Sequence, residues 1–279
     1  MKVSVVIPVY NEQKSISNCL SSLLEQNYES LEIIVVDDGS NDESLNIIKN
    51  FPVKLLRQNH KGPGLARNLG AKYAKGEILV FVDGDMTFDK DFIKNLVKSI
   101  TAGQTIGTFS KEEFVLNKNN IWSKCWNINK GLPLDRMHPI NYPNQQPVFR
   151  AILKKEFDKV GGFDPIGYID DYTLSEKLGV LAVVAPDAIF YHSNPNNLSE
   201  VFTQAKWIGK SEFKRRKIKN ESLMRLVTLI RYSLPLSLFH AIYKSFKHDL
   251  PQFLIFKLIY DFAVEISIIE TFFSKKVAK

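Results

Sequence analysis

The chain has 279 residues, 44% hydrophobic and 24% charged, which is ordinary for a globular protein and enough for one large α/β domain with an extension or two small domains. Its two cysteines, Cys19 and Cys125, exclude a disulfide framework and a cysteine-built metal site, which fits a reducing compartment. The formal net charge of +7 is uneven, with about +9 in residues 201–279 and −2 in residues 1–200, so the main body does not have the charge of a nucleic-acid binder.

In chain order, 3–9 (VSVVIPV) reads as a buried strand ending near Pro8, followed by the loop Tyr10-Asn11-Glu12. The opening MKVSVVIPVY lacks the apolar core and small-residue cleavage site of a signal peptide, so a cytoplasmic protein is expected. Residues 15–26 carry Ile16, Cys19, Leu20, Leu23 and Leu24 at helical spacing. A second strand over 31–36 ends in Asp37-Asp38-Gly39-Ser40, where Ser40 or Asn41 caps a helix bearing Leu45 and Ile48. A short strand over 53–56 precedes the loop His60-Lys61-Gly62-Pro63-Gly64 and a helix over 65–74.

The run 78–82 (ILVFV) is unbroken, apolar and bounded by Gly76 and Gly84, as expected of a fully buried central strand. Strands alternating with helices in this way indicate βαβ units and a mostly parallel sheet flanked by helices. Asp89 is placed to cap the next helix, with Phe92, Ile93, Leu96, Val97 and Ile100 on its apolar face. Residues 104–150 are irregular and rich in proline, and are expected to cover the sheet and wall a pocket. A strand follows over 147–153, helices over 154–160 and 172–178, and strands over 180–185 and 188–192. Trp122 and Trp126, four residues apart, suit a core better than a sugar platform.

From about Ser199 the pattern is helical only, so the expected division is an α/β domain over 1–198 and a basic, apolar helical extension over 199–279. The stretches 220–247 and 251–276 are interrupted by charge and are not clean transmembrane spans. Lys257, Asp261 and Glu265 recur every four residues and form one polar stripe on an otherwise apolar helix. That suits a helix lying on an anionic membrane surface, or one packed on a neighbour or a second subunit. Arg215-Arg216-Lys217 reads as a solvated or membrane-facing patch.

Acids recur where the sheet's carboxyl edge is expected: Asp37/Asp38, Asp83/Asp85 and Asp170/Asp171. Asp83-Gly84-Asp85 is suited to a hard cation, or is simply an acidic turn after a strand. Arg67, on the helix after the Gly-Pro-Gly loop, suits a phosphate-bearing ligand. The stretch Gly62–Arg67 lacks the third glycine of a dinucleotide fingerprint. There is no P-loop and no G-x-S-x-G nucleophile elbow.

The segments VSVVIPVYNE, IIVVDDGSND, GLARNLGAKYAKGEILVFVDGD, GGFD and DDYTLSEKL, in this order, resemble the family 2 glycosyltransferases of GT-A fold over about 3–192. The resemblance implies an inverting transfer from a nucleotide-diphosphate sugar with Mn²⁺ or Mg²⁺. It implies that Pro8, Tyr10 and Glu12 line the nucleotide pocket, Asp38 bonds the base, and Arg67 helps hold the nucleotide. Asp83 would meet the ribose or metal, Asp85 and His192 would ligate the metal, and Asp171 would be the general base. Asp170 stands where the family often has Glu. The implied acceptor is a glycan or a lipid-linked molecule, with the extension on the cytoplasmic face of a membrane. Two other readings stay open: a polyprenyl-phosphate sugar synthase, whose ionised acceptor needs no base, and a peripheral membrane protein that binds nucleotide sugar without transfer. A nucleotidyltransferase is disfavoured because 9–14 carries no basic phosphate loop.

Overall fold

The computed structural model describes residues 1–165, 170–211, 227 and 230–273. It forms two compact units, one of Met1–Phe114 with Ile140–His192 and one of Val115–Pro139 with Ser193–Ala278.

The first unit is built on a sheet of β1 (Val3–Val9), β2 (Leu31–Asp37), β3 (Lys54–Arg57), β4 (Ile78–Phe81), β6 (Gly107–Phe109), β8 (Gln145–Gln146), β9 (Ala151–Leu153) and β10 (Ala182–Val184). Their order is β3-β2-β1-β4-β9-β6-β10-β8. The strands β3, β2, β1 and β4 run parallel, as continuous Val/Ile/Leu runs require when both faces are covered. Val3, Val5, Ile7 and Val9 face one core with α1 (Ile16–Leu24) and α4 (Phe92–Thr101). Val6, Ile34, Val36 and Leu79 face the other, beneath α3 (Pro63–Tyr73). Helix α3 approaches closely because Gly70 has no side chain: a Cβ there would lie 2.3 Å from Val6 Cγ1. Between β1 and α1 the chain turns through Asn11 at φ 59°, in the left-handed region.

Three details differ from the sequence expectations. Strand β9 runs antiparallel between β4 and β6. A smaller sheet, β5 (Met86–Phe88), β11 (Phe190–His192) and β7 (Glu113–Val115), brings the chain just after Asp85 beside His192, with Met86 paired to His192. Helix α4 starts after Asp91 rather than Asp89, although Asp89 Oδ1 accepts from Asp91 N at 3.1 Å.

The second unit contains α5 (Ile121–Lys130), α8 (Leu198–Ser211), α9 (Leu234–Lys247) and α10 (Gln252–Phe273). The boundary expected at 198 lies at 192/193, and Val115–Pro139 leaves the sheet to join these helices. The cause is visible in the core, where Cys125, Trp126 and Ile128 of α5 pack with Phe253, Phe256 and Tyr260. Trp126 is a core residue, with its ring 5.5 Å from that of Tyr260. Among the described residues, no helix is long and apolar enough to cross a membrane. The patch Arg215-Arg216-Lys217 lies outside the described residues.

Candidate active site

The acids at the carboxyl edge fall into three groups with different partners, all in the first unit.

The first group is at the end of β2. Asp37 is fully buried, accepting from Ser40 N at 3.1 Å and Arg57 Nε at 3.1 Å. Asp38 is also buried. Its Oδ1 accepts from Gln58 Nε2 (2.6 Å) and Lys61 N (2.9 Å), and its Oδ2 from Gly62 N (2.9 Å). His60 Nδ1 stands 2.9 Å from the same Oδ2. Asp38 therefore fixes the 58–62 loop, and its acceptor directions are already used within the protein. The loop carries His60 over Tyr10, ring centroids 4.0 Å apart and nearly parallel. Pro8 is half-buried in β1, paired with Val36. Glu12 N donates to Ser44 Oγ at 2.7 Å, and Glu12 Oε2 accepts from Ser15 Oγ at 2.7 Å. Burial, then the Asp85 charge, raises the Glu12 carboxyl to about 7.

The second group surrounds two guanidinium groups. Arg67 leaves α3 to donate from Nη2 to Asp83 Oδ1 (2.8 Å) and from Nη1 to Asp170 Oδ1 (3.1 Å). Arg150, just before β9, donates from Nη1 to Asp83 Oδ2 at 3.2 Å. Asp83 thus takes one guanidinium on each oxygen, and both hold its carboxyl far below the usual range despite its burial. Asp170 is 3% exposed and is raised to about 6, because burial and the neighbouring Asp171 outweigh Arg67. Asp171 is raised as well, chiefly by burial. Its Oδ1 is buried and has no hydrogen-bond partner among the described residues.

The third group is Asp85, His192 and Glu113. His192 Nε2 stands 2.7 Å from Asp85 Oδ2, and Nδ1 stands 3.0 Å from Glu113 Oε1. Both carboxylates raise the imidazole well above its ordinary value against the effect of burial. Among the described residues, no three His, Cys, Asp or Glu side chains gather as a ready-made metal cage. The donor types nonetheless suit Mn²⁺ or Mg²⁺ that draws its remaining ligands from a diphosphate. Asp85 and His192 Nε2 can face the ion, while Glu113 accepts the Nδ1 proton and sets the tautomer.

The structure thus brings Asp83, Arg67, Asp170 and Asp171 together, and separately pairs Asp85 with His192. Asp83 is held by arginines, while Asp38 is turned toward its own loop. Arg150, Glu113, His60 and Gln58 were not found from sequence. They reach the site from three separate stretches, Gln58 and His60 from one loop, and no local pattern marks them.

The model of the family described as Glycosyl transferase family 2 matches residues 4–161. The chain belongs to this family. A poly(ribitol-phosphate) β-N-acetylglucosaminyltransferase of Staphylococcus aureus, TarS, is 40% identical over 103 residues, which cover 34% of this chain and 18% of TarS. The chain therefore matches only a small part of that longer relative. An uncharacterized glycosyltransferase of Haemophilus influenzae is 27% identical over 77% of this family member and 89% of its own length. Among solved structures, the mannosyltransferase PcManGT of Pyrobaculum calidifontis, in complex with GDP-Man and Mn²⁺, superposes with a TM-score of 0.60 at 19% identity. That match covers 96% of this chain and 87% of PcManGT. TarS 1–349 in complex with UDP-GlcNAc gives 0.57 at 18% identity, covering 97% and 92%. At these identities the structural likeness establishes the fold, a GT-A-type α/β sheet with helices at the C-terminus.

Proposed function

We propose that this family member is an inverting glycosyltransferase that moves a sugar from a nucleotide-diphosphate sugar to a hydroxyl of a glycan or lipid-linked acceptor, with Asp171 as general base. The observation that carries the reading is the buried, unpartnered Oδ1 of Asp171 beside the Arg67–Asp83–Arg150 cluster. A lone pair left free in a buried site is available to a substrate proton. Burial raises the Asp171 carboxyl, which makes it a stronger base than an exposed aspartate.

In the proposed reaction the acceptor oxygen attacks the anomeric carbon and forms the new C–O bond. The bond from that carbon to the diphosphate oxygen breaks, and the electron pair leaves with the diphosphate. The acceptor proton passes to Asp171. Arg67 and Arg150 fix Asp83 in place, one on each carboxylate oxygen. Mn²⁺ or Mg²⁺, held by Asp85 and His192, would supply charge neutralisation of the leaving group. In this reading Pro8, Tyr10 and Glu12 line the nucleotide pocket, with the Tyr10 ring stacked on His60 at its edge. The reading includes a cytoplasmic setting and contact of the C-terminal helices with a membrane surface.

Two measurements test this. Calorimetric titration with UDP-, GDP- and dTDP-sugars should give one donor whose binding needs Mn²⁺ or Mg²⁺. No binding of any of them to the folded protein would overturn the donor site. Asp171→Asn should keep that binding and lower turnover about 10²- to 10⁴-fold. Wild-type turnover in this variant would remove the base and favour an acceptor already ionised, such as a polyprenyl phosphate.

A further inference from the structure

Helix α9 of the second unit is inverted in polarity. On α9 the inward positions are Ser237 and Ala241, with Lys244 half-buried and donating from Nζ to Ile128 O (2.7 Å) and Asn129 O (3.2 Å) of α5. The outward positions Leu236, Leu238, Phe239, Ile242, Tyr243 and Phe246 are between 40% and 85% exposed. At helical spacing these six side chains share one broad face, bordered by His240 and Lys247.

Helix α10 buries an apolar face, with Phe253, Phe256, Val264 and Ile268 in the core, and buries charge beside it. The polar stripe read in its sequence turns inward: Asp261 is 1% exposed and bonded to Lys257 Nζ at 2.7 Å and Ser237 Oγ at 2.5 Å. Outward stand Ile255, Phe262 and Ile269, seven residues apart and each exposed. A water-facing α9 would place its polar residues the other way round. The apolar surface is also continuous along α9 rather than scattered, which marks a contact surface.

We infer that the outward face of α9, continued by the Ile255–Phe262–Ile269 line of α10, lies on the surface of an anionic lipid bilayer. Charge selects this occupant. Residues 227–248 contain no Asp or Glu, while Arg231 and Lys247 are exposed at the two ends of α9. Residues 201–279 as a whole carry about +9. A second copy packed on this face in antiparallel register would set Arg231 against Lys247 and repel, whereas phosphate headgroups attract both. The face is apolar over one side of a helix only, and no described helix can span a bilayer, so the contact is interfacial. The inference rests on the membrane contact of the reading above and names its surface; it fails separately from the donor site, because none of its residues belongs to the acidic clusters.

The experiment is sedimentation of the full chain with phosphatidylcholine vesicles containing or lacking phosphatidylglycerol. The wild type should pellet with the phosphatidylglycerol vesicles. Phe239→Ser with Phe246→Ser should weaken that partition at least about tenfold, since both rings would leave the lipid. Arg231→Glu with Lys247→Glu should abolish the preference for phosphatidylglycerol, and serves as the deciding variant if the Phe pair fails to fold. Circular dichroism and donor binding by the same preparations report the fold. A wild type that stays in the supernatant overturns the inference, as does a folded Phe-pair variant that pellets like the wild type. A wild-type dimer in vesicle-free solution that the Phe pair converts to monomer also overturns it, in favour of a second copy.

Discussion

Arg67 and Arg150 face three carboxylates, Asp83, Asp170 and Asp171, so the cluster is one positive charge short. Asp83 takes both guanidinium groups, and the deficit falls on the Asp170–Asp171 pair, whose carboxyls are raised. The consequence for stability has a definite sign. The folded chain holds the Asp170 proton more tightly than the unfolded chain does, with about 6 against the ordinary 3.8. Its stabilising contribution is therefore complete below about pH 4 and is lost as pH rises through about 6. Asp170→Asn does not titrate. The difference in unfolding free energy between this variant and the wild type should shift in the variant's favour by about 2–3 kcal/mol from pH 4 to pH 7. Urea unfolding at the two pH values measures it. A difference that stays constant, or moves toward the wild type, would show that Asp170 is ionised throughout.

At the scale of elements, the parallel core was legible because its signal is local. The runs VSVVIPV, LEIIVV and ILVFV are too apolar to face water on either side, and the structure buries them in β1, β2 and β4. The positions of Asp83, Asp85, Asp170 and Asp171 were legible for the same reason, since each pair follows a strand or opens a helix, whereas Glu113 opens the short strand β7 and carries no such mark. Strand β9 was expected over a longer span and its antiparallel insertion was not foreseen, because three residues carry no readable period and pairing is settled across the sheet. Arg150 was missed with it. Helix α10 shows a different limit: periodicity correctly put Lys257 and Asp261 on one face but could not say which way that face turns. Their inward position makes a prediction. Lys257→Ala leaves Asp261 buried without its cation and should cost about 3–5 kcal/mol, while Lys257→Met with Asp261→Leu should be near neutral. Thermal melts followed by tryptophan fluorescence test both. An Ala variant as stable as the wild type would mean that the pair is solvated.

At the scale of the whole molecule, the two units have separate cores. The sheet has one apolar cluster on each face, and Trp126, Phe253, Phe256 and Tyr260 belong to a third cluster in the helical unit. The tryptophans make the units separable in an experiment. All three, Trp122, Trp126 and Trp207, lie within Val115–Pro139 and Ser193–Ala278, so their fluorescence follows the helical unit alone. Calorimetry should therefore resolve more than one transition, with tryptophan fluorescence tracking one of them. The residues of the proposed donor site all belong to the first unit. Donor with Mn²⁺ at about 100 times its Kd adds about 2.7 kcal/mol to the state that binds it, a rise of about 5–10 °C for a unit of this size. That rise should appear in the transition to which tryptophan is silent. Anionic vesicles should move the other, because the outward faces of α9 and α10 belong to the helical unit. A single transition, shifted alike in calorimetry and tryptophan fluorescence by either ligand, would mean that the separate cores unfold as one cooperative body.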